Sequence, residues 1–145
     1  MFKRTVCACK QCQSCCHEQP GHLLPGQMQR IANHLDQPFA AVKKMFWASP
    51  GAVVMDTETQ RQYRIGTITP RFDRRKKACV FLSEEGQCAI HAVAPFGCAF
   101  FDTHMSAEEG MRRSSWGLIQ ILDDPEYMTL RSSLPFAESW RPKGY

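Results

Sequence analysis

The chain has 145 residues and eight cysteines, seven of them in two groups whose spacing limits the fold more than any other feature. Cys9-x2-Cys12-x2-Cys15-Cys16 is followed, after 62 intervening residues, by Cys79-x8-Cys88-x9-Cys98. Sulfurs two residues apart can turn toward one point, because a tight turn brings both side chains within reach of a single metal. A tetrahedral zinc takes four nitrogen or sulfur ligands and a four-iron cluster takes four thiolates, so the first group alone barely suffices. Neighbouring side chains diverge, so one of Cys15 and Cys16 is expected to serve a second metal or to face the core. Cys79, Cys88 and Cys98 are then the natural completers of the site.

Cys7 lies outside the two-residue repeat and is not expected to be a ligand. His17 follows the double cysteine and His91 comes three residues after Cys88, close enough for either imidazole to replace a thiolate. A surface or hydrogen-bonded histidine is the plainer expectation for both. His22, His34 and His104 lack even that proximity.

The compartment follows from the same cysteines. The start, Met1 to Cys7, is basic, but no apolar run follows it and no window reaches the length of a membrane span. A cytoplasmic, reducing setting is expected, where clustered thiols bind metal more often than they form disulfides. The net charge of +4 includes a run at Arg71, Arg74, Arg75, Lys76 and Lys77. That run reads as a solvated loop face, as a patch for an acidic partner, or as counter-charge for a thiolate centre near Cys79. With no interleaved aromatics beyond Phe72, nucleic-acid binding is not expected.

The local patterns predict an α+β fold: a single domain over residues 1–145, with helices and short β-hairpins around the cysteine cluster. Ligand segment 7–17 is expected as a loop, and ligand segment 79–98 as a strand pair followed by a loop at 94–98. Leu24, Met28, Ile31 and Leu35 predict a helix from about Pro25 to Leu35. Phe39, Val42 and Phe46 predict a second, opened by Pro38 and broken at Ser49-Pro50-Gly51. Ala52 to Met55 and Tyr63 to Thr69 predict a hairpin, and Cys79 to Leu82 with Cys88 to His91 another, turning at Gly86. C-terminal helices are expected across 106–133. Ser106 and Glu109 cap the first, with Met111, Ser115, Leu118, Ile119 and Leu122 on its buried face; Asp124-Pro125 opens the second. The tail, 134–145, carries Trp140, Arg141 and Tyr145, residue types that suit an interface.

At these cysteines the sequence resembles the YkgJ-type cysteine-cluster (CxxCxxCC) family, described as zinc- or iron-chelate-binding or iron-sulfur proteins. The resemblance spans roughly Cys9 to Cys98 and includes Cys79-Val80-Phe81-Leu82, Cys88-Ala89-Ile90-His91 and Pro95-Phe96-Gly97-Cys98. It implies metal or cluster binding through Cys9, Cys12, Cys15, Cys16, Cys79, Cys88 and Cys98, with no single settled reaction. The chain departs from the family pattern at His91, where tyrosine is common, and at Ala94 and Ala99, where arginine is common.

Three functions follow from this reading. The first is an iron-sulfur protein, with a 4Fe-4S cluster expected, that transfers electrons or serves as a redox accessory subunit of a larger complex. The second is a zinc-stabilised protein-binding module. A metal-dependent enzyme ranks last, since nothing outside the cysteines resembles an acid-base pair, a phosphate loop or a nucleophile elbow.

Overall fold

The computed structural model describes residues 2–5, 14–17, 20–55 and 58–137, with the side chains of Ser14, Cys15 and Met55 outside that description. The chain forms six α-helices among those residues: α1 Ser14–His17, α2 Gln27–Leu35, α3 Phe39–Lys43, α4 Phe96–Ala99, α5 Ala107–Leu122 and α6 Pro125–Ser132. Strands β1 Phe46–Met55 and β2 Gln62–Pro70 pair antiparallel, as do the short strands β3 Phe72–Asp73 and β4 Ala78–Cys79. The arrangement is α+β, as the patterns predict.

The main hairpin is longer than expected and takes residues from a predicted helix. Phe39 and Val42 lie on α3, but α3 ends at Lys43, and Phe46 begins β1 opposite Pro70. Phe46 is fully buried, as the apolar stripe predicts, but on a strand rather than a helix. Ser49-Pro50-Gly51, expected to break a helix, forms a β-bulge: the register passes from Ser49↔Thr67 to Ala52↔Ile65. Gly51 sits at φ 79°, and a Cβ there would lie 1.7 Å from the Ile65 carbonyl oxygen, so the bulge requires glycine. Arg131 of α6 satisfies the carbonyls freed nearby, donating from Nε to Thr67 O at 3.1 Å and from Nη2 to Ser49 O at 2.7 Å.

The two C-terminal helices begin where the capping residues place them. Ser106 Oγ accepts from the Glu109 amide at 3.1 Å, and Asp124 Oδ1 accepts from the Tyr127 amide at 3.0 Å. The buried face of α5 differs from the expected one. Gly117, Leu118 and Ile121 are buried, whereas Met111 and Leu122 are 70% and 55% exposed and Ile119 also faces outward. Apolar residues occur around most of this helix, so spacing alone does not fix its rotation. Contact with Phe96 does: a Cβ on Gly117 would lie 2.6 Å from that ring, so this turn of α5 seats on it.

One core joins α2, α3, β1, β2, the 79–90 region, α5 and α6, with Ile31, Phe46, Ile68, Ile90 and Ile121 at 0–1% exposure. The Tyr127 hydroxyl pins its centre by donating to Leu23 O at 2.8 Å and accepting from the Ile68 amide at 2.7 Å. Burial pushes this phenol well above its ordinary pKa, so it stays a donor.

Candidate metal centre

A small hairpin delivers the first distal cysteine. Asp73 Oδ1 accepts from the amides of Arg75 and Lys76 at 2.9 and 3.4 Å, closing a turn whose Lys77 takes a positive φ of 52°. The basic run is therefore mostly the tip of the β3–β4 hairpin, and Cys79 lies buried at the end of β4. Residues 82–88 turn back: Ser83 N–H donates to Gln87 O, Gly86 takes φ 81°, and Leu82 forms an antiparallel bridge with Cys88. The expected strand pair is thus a single bridge around a turn. β4 pairs with β3 instead, and His91–Val93 is a turn of 3-10 helix. The expected loop at 94–98 also contains a helical turn, α4, entered through buried Pro95.

The first ligand segment is likewise not all loop. Cys15 and Cys16 fall on α1, a single helical turn that packs against β4. Cys16, Cys79, Cys88 and Cys98 all line one cavity of about 400 Å3, together with apolar Pro20, Pro70, Leu82, Ile90 and Pro95. Residues from both ends of the 62-residue gap thus share a wall. Cys7, Cys9 and Cys12 lie outside the described residues, as does the Cys15 side chain. Among the described residues, no three His, Cys, Asp or Glu side chains form a group able to hold one metal ion. His91 lines the cavity and is exposed; His17, also exposed, does not line it.

The two ligand segments are joined backbone to backbone. Gly97 N–H donates to His22 O at 2.9 Å, and Gly21 N–H donates to Cys98 Sγ at 3.1 Å. Glycine is required on both sides of this crossing. A Cβ on Gly21 would lie 2.1 Å from the Gly97 carbonyl carbon, and one on Gly97 would lie 2.4 Å from the His22 nitrogen. Gln27 Oε1 adds a second tie by accepting from the Leu24 and Phe96 amides, both at 2.9 Å. An amide aimed at a cysteine sulfur favours its thiolate form and tunes whatever the thiolate binds.

Sequence reasoning missed His22. Its Nε2 is buried with no hydrogen-bond partner among the described residues, its ring meets Phe96 edge-on, and burial lowers its pKa to about 4. No spacing signal marks it, because its environment comes from β2, α4 and α5. Arg4 was missed too. It reaches the cysteine cavity from the N-terminal segment, donating to Ala92 O at 2.7 Å and to His91 O.

Sulfur donors on a wall that is largely apolar but also carries Arg4, Thr5, Gln87 and His91 suit zinc, iron or an iron-sulfur cluster, all of which thiolates bind well. The family model CxxCxxCC, described as "Putative zinc- or iron-chelating domain", matches residues 8–117. Neither the curated proteins nor the solved structures contain a match. No described helix is long and apolar enough to cross a membrane.

Proposed function

This chain belongs to the CxxCxxCC family, and on that premise we propose that it holds an iron-sulfur cluster, a 4Fe-4S cluster first among them, and serves as an electron-transfer or redox accessory subunit of a larger cytoplasmic complex. The observation that supports the reading is that Cys16, Cys79, Cys88 and Cys98 line one cavity. The Gly21 amide on Cys98 Sγ is the kind of contact that sets a cluster's potential.

The full ligand set in this proposal is drawn from Cys9, Cys12, Cys15, Cys16, Cys79, Cys88 and Cys98. Seven cysteines exceed the four of one cubane, so three remain for exchange, for a second metal or for packing. Residues 1–145 act as one domain, in keeping with a core that draws on residues 23 to 134.

Anaerobic purification followed by iron, sulfide and zinc analysis and a visible spectrum tests the proposal. Iron and acid-labile sulfide in equal amounts, with broad visible absorption, are the expected result. A colourless protein with stoichiometric zinc and no sulfide would overturn it in favour of the zinc-stabilised module.

A further inference from the structure

A centre built of several thiolates carries net negative charge, about −2 for four thiolates on zinc or on a +2 cluster core. In a largely apolar cavity that charge is costly unless a cation stands near it. The basic run from Arg71 to Lys77 is the obvious source in the sequence, but none of its five cations lines the cavity. Arg71 Nε donates to Phe46 O at 3.3 Å, and Lys76 Nζ donates to the Val80 and Leu82 carbonyls at 3.3 and 3.0 Å.

Among the described residues, the permanently charged side chain that does line the cavity is Arg4, at its exposed rim. It is held there by a pinned N-terminal segment. Thr5 N–H donates to Ala99 O at 2.7 Å, and Arg113 Nη1 donates to Lys3 O at 3.0 Å. The Phe2 ring packs edge-on against Trp116 and faces the guanidinium groups of Arg112 and Arg113. A terminal segment is ordered only where it is tied down. This one is tied at each residue from Phe2 to Thr5, and the arrangement delivers one guanidinium to the loop between Cys88 and Cys98.

We propose that Arg4 is the counter-charge of the cysteine centre, a positioning residue that strengthens metal binding through its charge; the inference rests on reading the cavity as the metal site. The fork onto the His91 and Ala92 carbonyls fixes where that charge stands. Neutral Ala94 and Ala99 on the same wall supply none.

The test uses the full chain and Zn2+ as the probe, with affinity read by competition against a colorimetric chelator. Arg4→Gln keeps a hydrogen-bond donor but removes the charge, and is expected to weaken Zn2+ binding about three- to tenfold. Arg4→Lys, which keeps the charge and loses the planar fork, is expected to restore affinity to within about twofold. Arg75→Gln makes the same change in net charge away from the cavity and is expected to leave affinity unchanged. The inference is overturned if Arg4→Gln binds as tightly as the unmodified chain. It is overturned equally if Arg4→Lys is as weak as Arg4→Gln, since the fork rather than the charge would then matter, or if Arg75→Gln weakens binding to the same extent. An unmodified chain that binds neither Zn2+ nor iron would overturn the metal reading itself, and this inference with it.

Discussion

Replacing Gly21 with alanine tests the crossing that joins the two ligand segments. The new Cβ would stand 2.1 Å from the Gly97 carbonyl carbon and 2.3 Å from the Cys98 nitrogen, whereas ordinary contact begins near 3.4 Å. Both neighbours are backbone, so no rotamer change relieves the clash and the segments must separate by more than an ångström. A comparable movement at the Gly21 amide, now 3.1 Å from Cys98 Sγ, breaks that hydrogen bond. Overpacking of this kind costs about 1–3 kcal/mol. A hydrogen bond to a charged acceptor contributes a further ~1.5–3 kcal/mol. The packing cost applies with or without metal, but the hydrogen-bond contribution is large only when Cys98 is a metal-bound thiolate. Urea unfolding of the metal-free and metal-loaded protein should therefore show Gly21→Ala destabilising both, the loaded form by about 2 kcal/mol more. Equal losses in the two forms would refute the role assigned to the N–H···S bond, and no loss in either would refute the tight crossing.

Other expectations follow from the same contacts. Tyr127→Phe leaves the Leu23 carbonyl without its donor and the Ile68 amide without its acceptor, and should cost about 2–4 kcal/mol by thermal or urea unfolding; a loss below about 1 kcal/mol would contradict the bridge. In metal-free protein, His22 is neutral in both folded and unfolded chains above its ordinary pKa of 6.5. Between there and about 4 the unfolded chain takes up a proton that the folded chain excludes, so stability falls as pH falls and then levels off. The drop should be about 3 kcal/mol and should vanish in His22→Phe; an unchanged pH profile in that variant would refute the assignment. Cys12→Ser and Cys88→Ser should each sharply lower bound metal, whereas Cys7→Ser should leave it nearly intact; equal loss in all three, measured by metal analysis, would contradict the ligand ranking.

Local chemistry was legible in the sequence, and chain rotation was not. The caps at Ser106 and Asp124 depend on contacts three residues away, so residue type was enough to place both helix starts. The cysteine spacing marks candidate ligands, because thiol clustering has few other uses in a chain of this kind, whereas the cavity that Cys16, Cys79, Cys88 and Cys98 line depends on the tertiary fold. Phe46 misled because Phe39, Val42 and Phe46 fit a helical stripe that a short run cannot separate from a helix followed by a strand. The pairing partner that decides between them, Pro70, lies 24 residues away. The face of α5 misled for a related reason: Met111, Ile119 and Leu122 are apolar but exposed, and Phe96, on a distant turn, selects the opposite side. Arg4 and His22 carry no spacing signal at all, since both owe their positions to tertiary contacts.

These contacts also bear on how the centre forms. Bringing Cys16 and Cys79 together closes a loop of 62 intervening residues, an entropic cost of about 4 kcal/mol by the logarithmic rule. In a chain held together only by metal, that cost would be subtracted from the metal's affinity. Here the Gly21–Gly97 crossing, the Gln27 bonds to Leu24 and Phe96, and the Tyr127 bridge already join the segments within a shared core. The core bears most of the closure cost before any ligand bond forms. A site assembled this way binds metal more tightly for the same ligands, because fewer residues remain to be ordered. It also holds Cys98 against the Gly21 amide in advance, so the geometry around that sulfur is set by the polypeptide rather than chosen by the metal.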